Sequence, residues 1–121
     1  MNAIIKTNYD VVLVDLFYNE QPLTFDDVQS LKLKSNGGSR LVISYMSIGE
    51  AENYRYYWNT LNKKLVHNQN PDWPGNFSID YWDSSWKQVI YGNDLSYTKK
   101  ILDAGFDGVY LDLIEAYEYF E

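Results

Sequence analysis

Cysteine is missing from the sequence, and histidine occurs only once. The chain therefore cannot form a disulfide, a thiolate metal site or a cysteine nucleophile. The single histidine, His67, argues against a histidine-rich metal site and against a Ser-His-Asp triad. We expect no metal and no other cofactor, and we interpret His67 as a surface residue.

Positive charge and long apolar runs are also scarce. Lys and Arg total 10 against 17 Asp and Glu, which gives a net charge of −7. Nucleic-acid phosphates and anionic lipid headgroups repel such a surface, so we expect no nucleic-acid and no membrane partner. No apolar run approaches the roughly 20 residues of a membrane-spanning helix. No signal-peptide pattern opens the chain, and the sequence assigns no cellular compartment.

Aromatic side chains are what the sequence has in excess, with 12 Tyr and 4 Trp among 121 residues. A chain of this length forms one domain on the usual scale of roughly 100–200 residues per domain. Aromatic side chains fill a hydrophobic core. They also line grooves that stack on sugar rings, and composition leaves both uses open.

Four short apolar runs predict β-strands beginning near residues 11, 41, 78 and 108. Three of them are unbroken and rich in β-branched residues, which is typical of strands buried on both faces of a parallel sheet. Their spacing of about 30 residues is that of βαβ units. The longer interval before residue 78 contains residues 68–76, which carry turn signals throughout.

Helix signals lie between the predicted strands. Thr24 followed by Asp27 predicts a capped helix start, with the helix ending at Gly37-Gly38. Further helices are predicted after Ser84-Ser85, from residues 94–96 to Gly105, and over residues 115–121. The order β-α-β-(loop or short helix)-β-α-β-(α) predicts a parallel α/β fold with right-handed crossovers.

Acidic residues stand at or just beyond the end of each predicted strand: Asp15, Glu50, Asp83 and Asp112. Functional sites in parallel α/β folds form at the carboxyl ends of the strands, so these side chains are expected to converge. Two converging carboxyl groups can hydrolyse a glycosidic bond. The alternative is that these acids cap helices or bind loop amides.

Two aromatic segments accompany these acids. In residues 44–58 (SYMSIGEAENYRYYW), Arg55 is placed to pair with Glu50 or Glu52, or to bind a sugar hydroxyl. In residues 80–86 (DYWDSSW), Trp82 or Trp86 could form a stacking platform. For residues 44–58 the alternative is an aromatic-packed loop with a surface salt bridge. For residues 80–86 it is a tryptophan that packs between the barrel and its helices.

Taken in order, residues 44–58, 80–86, 105–112 (GFDGVYLD) and 116–118 (AYE) resemble glycoside hydrolase family 114, the endo-α-1,4-polygalactosaminidase-like proteins. The similar branch is the one once described as related to cysteinyl-tRNA synthetase. The resemblance implies a TIM (β/α)₈ barrel that hydrolyses α-1,4-linked galactosamine polymers. It places the family's fifth-strand acid on Asp112 and the acid ending the second strand on Asp15. Glu50 and Asp83 match polar positions after the third and fourth strands.

The resemblance covers nearly all of this chain but only about half of a barrel of roughly 250 residues. We therefore expect a partial barrel, residues 1–121, with four parallel strands equivalent to strands two to five. A further family acid lies on a later strand, beyond the part matched here. Open sheet edges could pair two copies as a homodimer.

We assign a catalytic role to Asp112. The expected substrate-binding residues are Asp15, Tyr45, Ser47, Glu50, Arg55, Trp82 and Asp83. An acidic cleft also suits a cationic substrate. The alternatives are a non-catalytic carbohydrate-binding or remnant module, or a fragment with no function of its own. Relatives that degrade polysaccharides would act outside the cell.

Overall fold

The computed structural model describes every residue from 1 to 121. The chain divides into two units, the first formed by Met1–Met46 with Lys100–Tyr110, the second by Ser47–Lys99 with Leu111–Glu121. No helix in either unit has the length and apolar character needed to cross a membrane.

A mixed set of short strands and helices builds these units. The strands are β1 (Val11–Asp15), β2 (Phe17–Tyr18), β3 (Gln21–Pro22), β4 (Leu41–Ser47), β5 (Glu50–Glu52), β6 (Val66–Gln69), β7 (Asn76–Ile79) and β8 (Gly108–Asp112). The α-helices are α1 (Asn2–Ile5), α2 (Phe25–Leu31), α3 (Ser84–Lys87) and α4 (Tyr97–Asp103). Short 3₁₀-helices cover Lys63–Leu65 and Ala116–Phe120, and a π-helical turn covers Gln88–Gly92.

A three-stranded parallel sheet with the order β1-β4-β8 confirms the parallel α/β prediction for three of the four apolar runs. β1 pairs with β4 from Val11↔Leu41 to Asp15↔Tyr45. One face is buried at Val42 and Ser44, whereas Val11 and Leu41 on the other face are 54% and 53% exposed. The sheet therefore has one covered face and one open apolar face.

The third apolar run does not join this sheet, so the prediction of four parallel strands is wrong. β7 is the centre of a separate antiparallel sheet with the order β5-β7-β6. Only residues 70–75 separate β6 from β7, whereas a parallel connection needs a crossover of a dozen residues or more. β8 lies directly beside β4, which leaves no position between them for another strand.

The predicted start of α2 is confirmed, and its predicted end is wrong. Thr24 and Asp27 form a reciprocal capping box, and hydrogen bonds from Thr24 lower the pKa of the Asp27 carboxyl. The helix ends at Leu31, because the following residues form a separate turn closed by a hydrogen bond from the Lys34 N–H to the Gly38 carbonyl, 2.7 Å. Gly37 adopts φ +89° within that turn, so the glycines serve the turn instead of ending the helix.

Candidate functional site

Gly49 brings the segment after β4 against the end of β8. The Ile48 N–H donates to the Asp112 carbonyl at 3.2 Å. A Cβ on residue 49 would lie 2.2 Å from the Leu113 carbonyl oxygen and 2.5 Å from the Ala116 Cβ. Only glycine fits so close an approach. This turn therefore fixes Glu50 in the second unit relative to Asp112.

Glu50 is a buried carboxylate whose two side-chain oxygens differ in their hydrogen bonds. Its side chain Oε2 accepts a hydrogen bond from Asn70 Nδ2 at 3.2 Å, while the buried Oε1 has no hydrogen-bond partner. Burial raises the pKa of the Glu50 carboxyl, and the charges of Glu52 and Asp112 raise it further, against the lowering effect of hydrogen bonds from Asn70 and Asn76. Burial therefore disfavours the ionised form of Glu50 more than these hydrogen bonds favour it.

Asp112 ends β8 and is half-buried. Its Oδ1 accepts a hydrogen bond from the Leu113 N–H at 2.9 Å. Leu113 adopts φ +64°, a left-handed conformation that is strained for a leucine. Strain of this kind costs on the order of 1–3 kcal/mol and is common at functional sites. The backbone therefore changes direction at Leu113, and the Leu113 N–H holds the Asp112 carboxylate in a set orientation.

Arg55 pairs with Glu52, one of the two partners that the sequence suggested. The Arg55 Nε lies 3.0 Å from Glu52 Oε1, and both side chains are almost fully buried. Tyr57 accepts a hydrogen bond from the Glu52 N–H at 2.9 Å, and burial raises the pKa of Tyr57 well above its ordinary value. Burial also raises the pKa of Tyr56 to about 12. Arg55 thus braces the segment that carries Glu50.

Two other predicted binding residues have partners within the protein. The Ser47 hydroxyl donates to the Glu50 carbonyl at 3.2 Å. Asp83 caps α3, where its carboxylate accepts from the Ser85 N–H at 2.8 Å. The capping alternative for a strand-end acid is therefore what the structure has at Asp83.

The remaining predicted residues are placed as follows. In the first unit, Asp15 accepts a hydrogen bond from the Phe17 N–H at 2.8 Å, and Tyr45 is its half-buried register partner on β4. In the second unit, Trp82 is 51% exposed. The second unit thus holds Ser47, Glu50, Arg55, Trp82, Asp83 and Asp112, while Asp15 and Tyr45 belong to the first.

A cavity of about 760 Å³ opens beside Glu50 within the second unit. Its lining consists of Glu50, His67, Asn68, Gln69, Asn70, Pro71, Asp72, Ser78, Tyr119 and Phe120. Sequence reasoning identified residues 68–76 only as a loop and did not identify Asn70, Tyr119 or Phe120 as site residues. The turn residues within 68–76 were the one sequence signal that could have indicated a hairpin between β6 and β7.

An aromatic cluster borders this cavity. Phe120 makes edge-to-face contacts with Trp82, His67 and Tyr81, at ring-centroid distances of 4.9, 5.8 and 6.1 Å. His67 Nε2 also lies 2.6 Å from Asp80 Oδ1. His67 is exposed, as expected, but its ring contacts both the Asp80 carboxylate and the Phe120 ring. The cluster and the amide-rich hairpin give the cavity one apolar and one polar side.

Comparison with known proteins matches the chain to one family model and to several relatives. The model of glycoside-hydrolase family GH114 matches residues 2–121. Uncharacterized proteins of Deinococcus radiodurans and Methanocaldococcus jannaschii are each 34% identical over 98% of this chain. The chain spans 37% and 34% of the lengths of these relatives.

A solved structure adds a likeness in three dimensions. The crystal structure of Aspergillus fumigatus Ega3 in complex with galactosamine matches 92% of this chain and 39% of its own, with a TM-score of 0.73 and 25% identity. The sequence resemblance and the fold therefore lead to the same family.

Proposed function

Because the chain belongs to glycoside-hydrolase family GH114, we propose that it hydrolyses α-1,4-linked galactosamine polymers by acid/base catalysis, with Asp112 as the catalytic carboxylate. Asp112 would act as nucleophile or as catalytic acid. The galactosamine in the Ega3 structure, a similar protein, supports the choice of sugar. The net charge of −7 suits a polymer that carries free amino groups.

The observation that carries this proposal is the approach of the Glu50 turn to the end of β8. Hydrolysis of a glycosidic bond needs carboxyl groups in different protonation states. Burial is the main cause of the raised pKa of Glu50, and the charge of Asp112 adds to it. Asp112 is half-buried beside a strained turn, where a fixed carboxylate can meet substrate.

The other predicted residues serve this reaction in two ways. Within the second unit, Glu50 and Trp82 would contact the sugar through hydrogen bonds or stacking. Asp15 and Tyr45, in the first unit, stay proposed substrate-binding residues. Ser47, Arg55 and Asp83 would act through the loops that they brace.

We further propose that residues 1–121 form one partial domain of a (β/α)₈ barrel. The three parallel strands and the likeness to Ega3 support this arrangement. The open apolar face that carries Val11 and Leu41 would be the interior face of the barrel. β1 and β8 are edge strands of the sheet, where a second copy of the chain could add its own edge in a homodimer.

The test is release of reducing ends from de-N-acetylated α-1,4-galactosamine polymer. We expect Asp112→Asn to abolish release, because the amide can neither take the nucleophile's role nor donate the acid's proton. Asp94→Asn, the same change at an exposed site, should leave the rate as it is. An unchanged rate in Asp112→Asn would contradict the assignment.

A non-catalytic carbohydrate-binding module is the second candidate. It is favoured by the cavity and its aromatic border, which could hold a sugar without Asp112. Calorimetric binding of the polymer with no reducing-end release would support this second function over hydrolysis.

A further inference from the structure

Trp86 is the largest side chain that the structure buries completely. It is 1% exposed, so its ring offers no face to a sugar, and Trp82 is the exposed tryptophan of residues 80–86. The Trp86 ring packs edge-on against buried Tyr57, with ring centroids 5.4 Å apart and an interplanar angle of 87°. No step of the proposed hydrolysis uses this side chain.

The polar edge of the Trp86 ring meets the backbone of the turn that precedes Glu50. Its Nε1–H donates a hydrogen bond to the Ile48 carbonyl at 2.9 Å. The Ile48 N–H donates in turn to the Asp112 carbonyl at 3.2 Å. Ile48 is thus held on two sides, by a side chain from α3 and by the backbone at the end of β8.

The helix that carries Trp86 is itself fixed at its start. The Asp83 carboxylate accepts a hydrogen bond from the Ser85 N–H at 2.8 Å, and the Asp83 carbonyl accepts one from the Lys87 N–H at 3.1 Å. A helix of four residues is not stable by itself, so α3 depends on this cap and on the packing of Trp86. Asp83 therefore acts on the turn at Ile48 through Trp86.

The turn has little freedom to settle elsewhere. A Cβ on Gly49 would lie 2.2 Å from the Leu113 carbonyl oxygen, so the turn and the residue after Asp112 are in close backbone contact. Catalytic groups must be held to within about 0.5 Å of their working geometry. A displacement of about 1 Å can cost about 100-fold in rate. A group that fixes Ile48 therefore matters for the carboxyls on either side of this contact.

We propose that Trp86 is a positioning residue, because its indole N–H fixes the turn at Ile48 against the end of β8. That turn places the segment carrying Glu50 beside the strand carrying Asp112. The effect on catalysis rests on the proposed function, whereas the placement rests on the hydrogen bonds of Ile48. Removing the N–H while keeping the ring should loosen the turn without emptying the core.

The experiment uses two variants of the 121-residue chain, Trp86→Phe and Trp86→benzothienylalanine. The benzothienyl ring has sulfur in place of the indole N–H, so it keeps the size of the ring and loses the donor. It tests the hydrogen bond even where the smaller phenyl ring destabilises the fold. Trp73→Phe is the matched control, since Trp73 is 67% exposed in the same unit.

Amide hydrogen exchange, measured by NMR, tests the placement without any activity. We expect the Ile48 amide to exchange about three- to tenfold faster in both Trp86 variants, relative to the Val42 amide, which is the range for one hydrogen bond. The Val42 N–H donates to Asp107 Oδ2 in the first unit and reports overall stability. Equal acceleration of the two amides, or none, would overturn the inference.

The titration of Glu50, followed by carboxyl ¹³C NMR, is a second readout that a loss of overall stability does not move. Burial is the main cause of the raised pKa of Glu50, so a looser turn should bring this pKa down toward 4.5. We expect this fall in both Trp86 variants and not in Trp73→Phe. An unchanged Glu50 pKa in the benzothienylalanine variant would contradict the positioning role.

Reducing-end release separates this inference from the proposed function. In a chain that releases reducing ends, we expect kcat to fall about tenfold or more in both Trp86 variants, with KM within about twofold. An unchanged kcat in the benzothienylalanine variant would overturn the positioning role alone. A chain that releases no reducing ends would contradict the proposed hydrolysis alone, and exchange and titration would then decide the placement.

Discussion

At the scale of single residues, Glu50 links stability to pH. Its pKa in the folded chain is raised from the ordinary value of 4.5, chiefly by burial. A raised carboxyl pKa stabilises the folded state below the ordinary value, and this contribution is lost as pH rises through the raised pKa. We therefore expect Glu50→Gln to unfold at a higher temperature than the unaltered chain at neutral pH. The difference should shrink as pH falls toward 4.5.

The check at this scale is thermal unfolding followed by circular dichroism from acid to neutral pH. Exposed Asp94 gives the matched control, since Asp94→Asn should follow the unaltered chain over the same range. A Glu50→Gln chain less stable than the unaltered one at neutral pH would show that ionised Glu50 holds the fold together.

At the scale of the elements, the turn between β4 and β5 packs against the end of β8 and so places the segment that carries Glu50 beside the strand that carries Asp112. Gly49→Ala would place a methyl group 2.2 Å from the Leu113 carbonyl oxygen, and this backbone cannot yield as a flexible side chain would. We expect a loss of about 1–3 kcal/mol in the free energy of unfolding in urea, together with loss of reducing-end release. Gly108→Ala is the control, because its methyl would lie 3.4 Å from the Ile43 Cδ1, an ordinary contact. Equal stability of the two variants would show that the turn tolerates a side chain.

The same elements show what the sequence could predict. Unbroken β-branched runs located β1, β4 and β8, and the Thr24 cap located α2, because these signals are local. Apolar composition does not distinguish parallel from antiparallel pairing, so β7 was assigned to the wrong sheet. Among the site residues, Glu50 and Asp112 could be identified from the sequence, because each follows or ends a predicted strand. Asn70 lies in the β6–β7 hairpin and Phe120 in the C-terminal 3₁₀-helix, and no local sequence signal shows that both line one cavity with Glu50.

At the scale of the whole molecule, the open apolar face of the sheet bears on association. Exposed apolar faces of this kind mark interaction surfaces, and unpaired strand edges invite pairing. If two copies join there, sedimentation velocity should show a dimer whose fraction rises with concentration. Leu13→Lys places a charge on that face, where Leu13 is 49% exposed, and should give a monomer. Leu102→Lys alters a residue that is 64% exposed on α4, outside the sheet, and should still dimerise. An unaltered chain that stays monomeric at every concentration would contradict the homodimer. The apolar face would then be expected to pack inside a barrel that further strands complete.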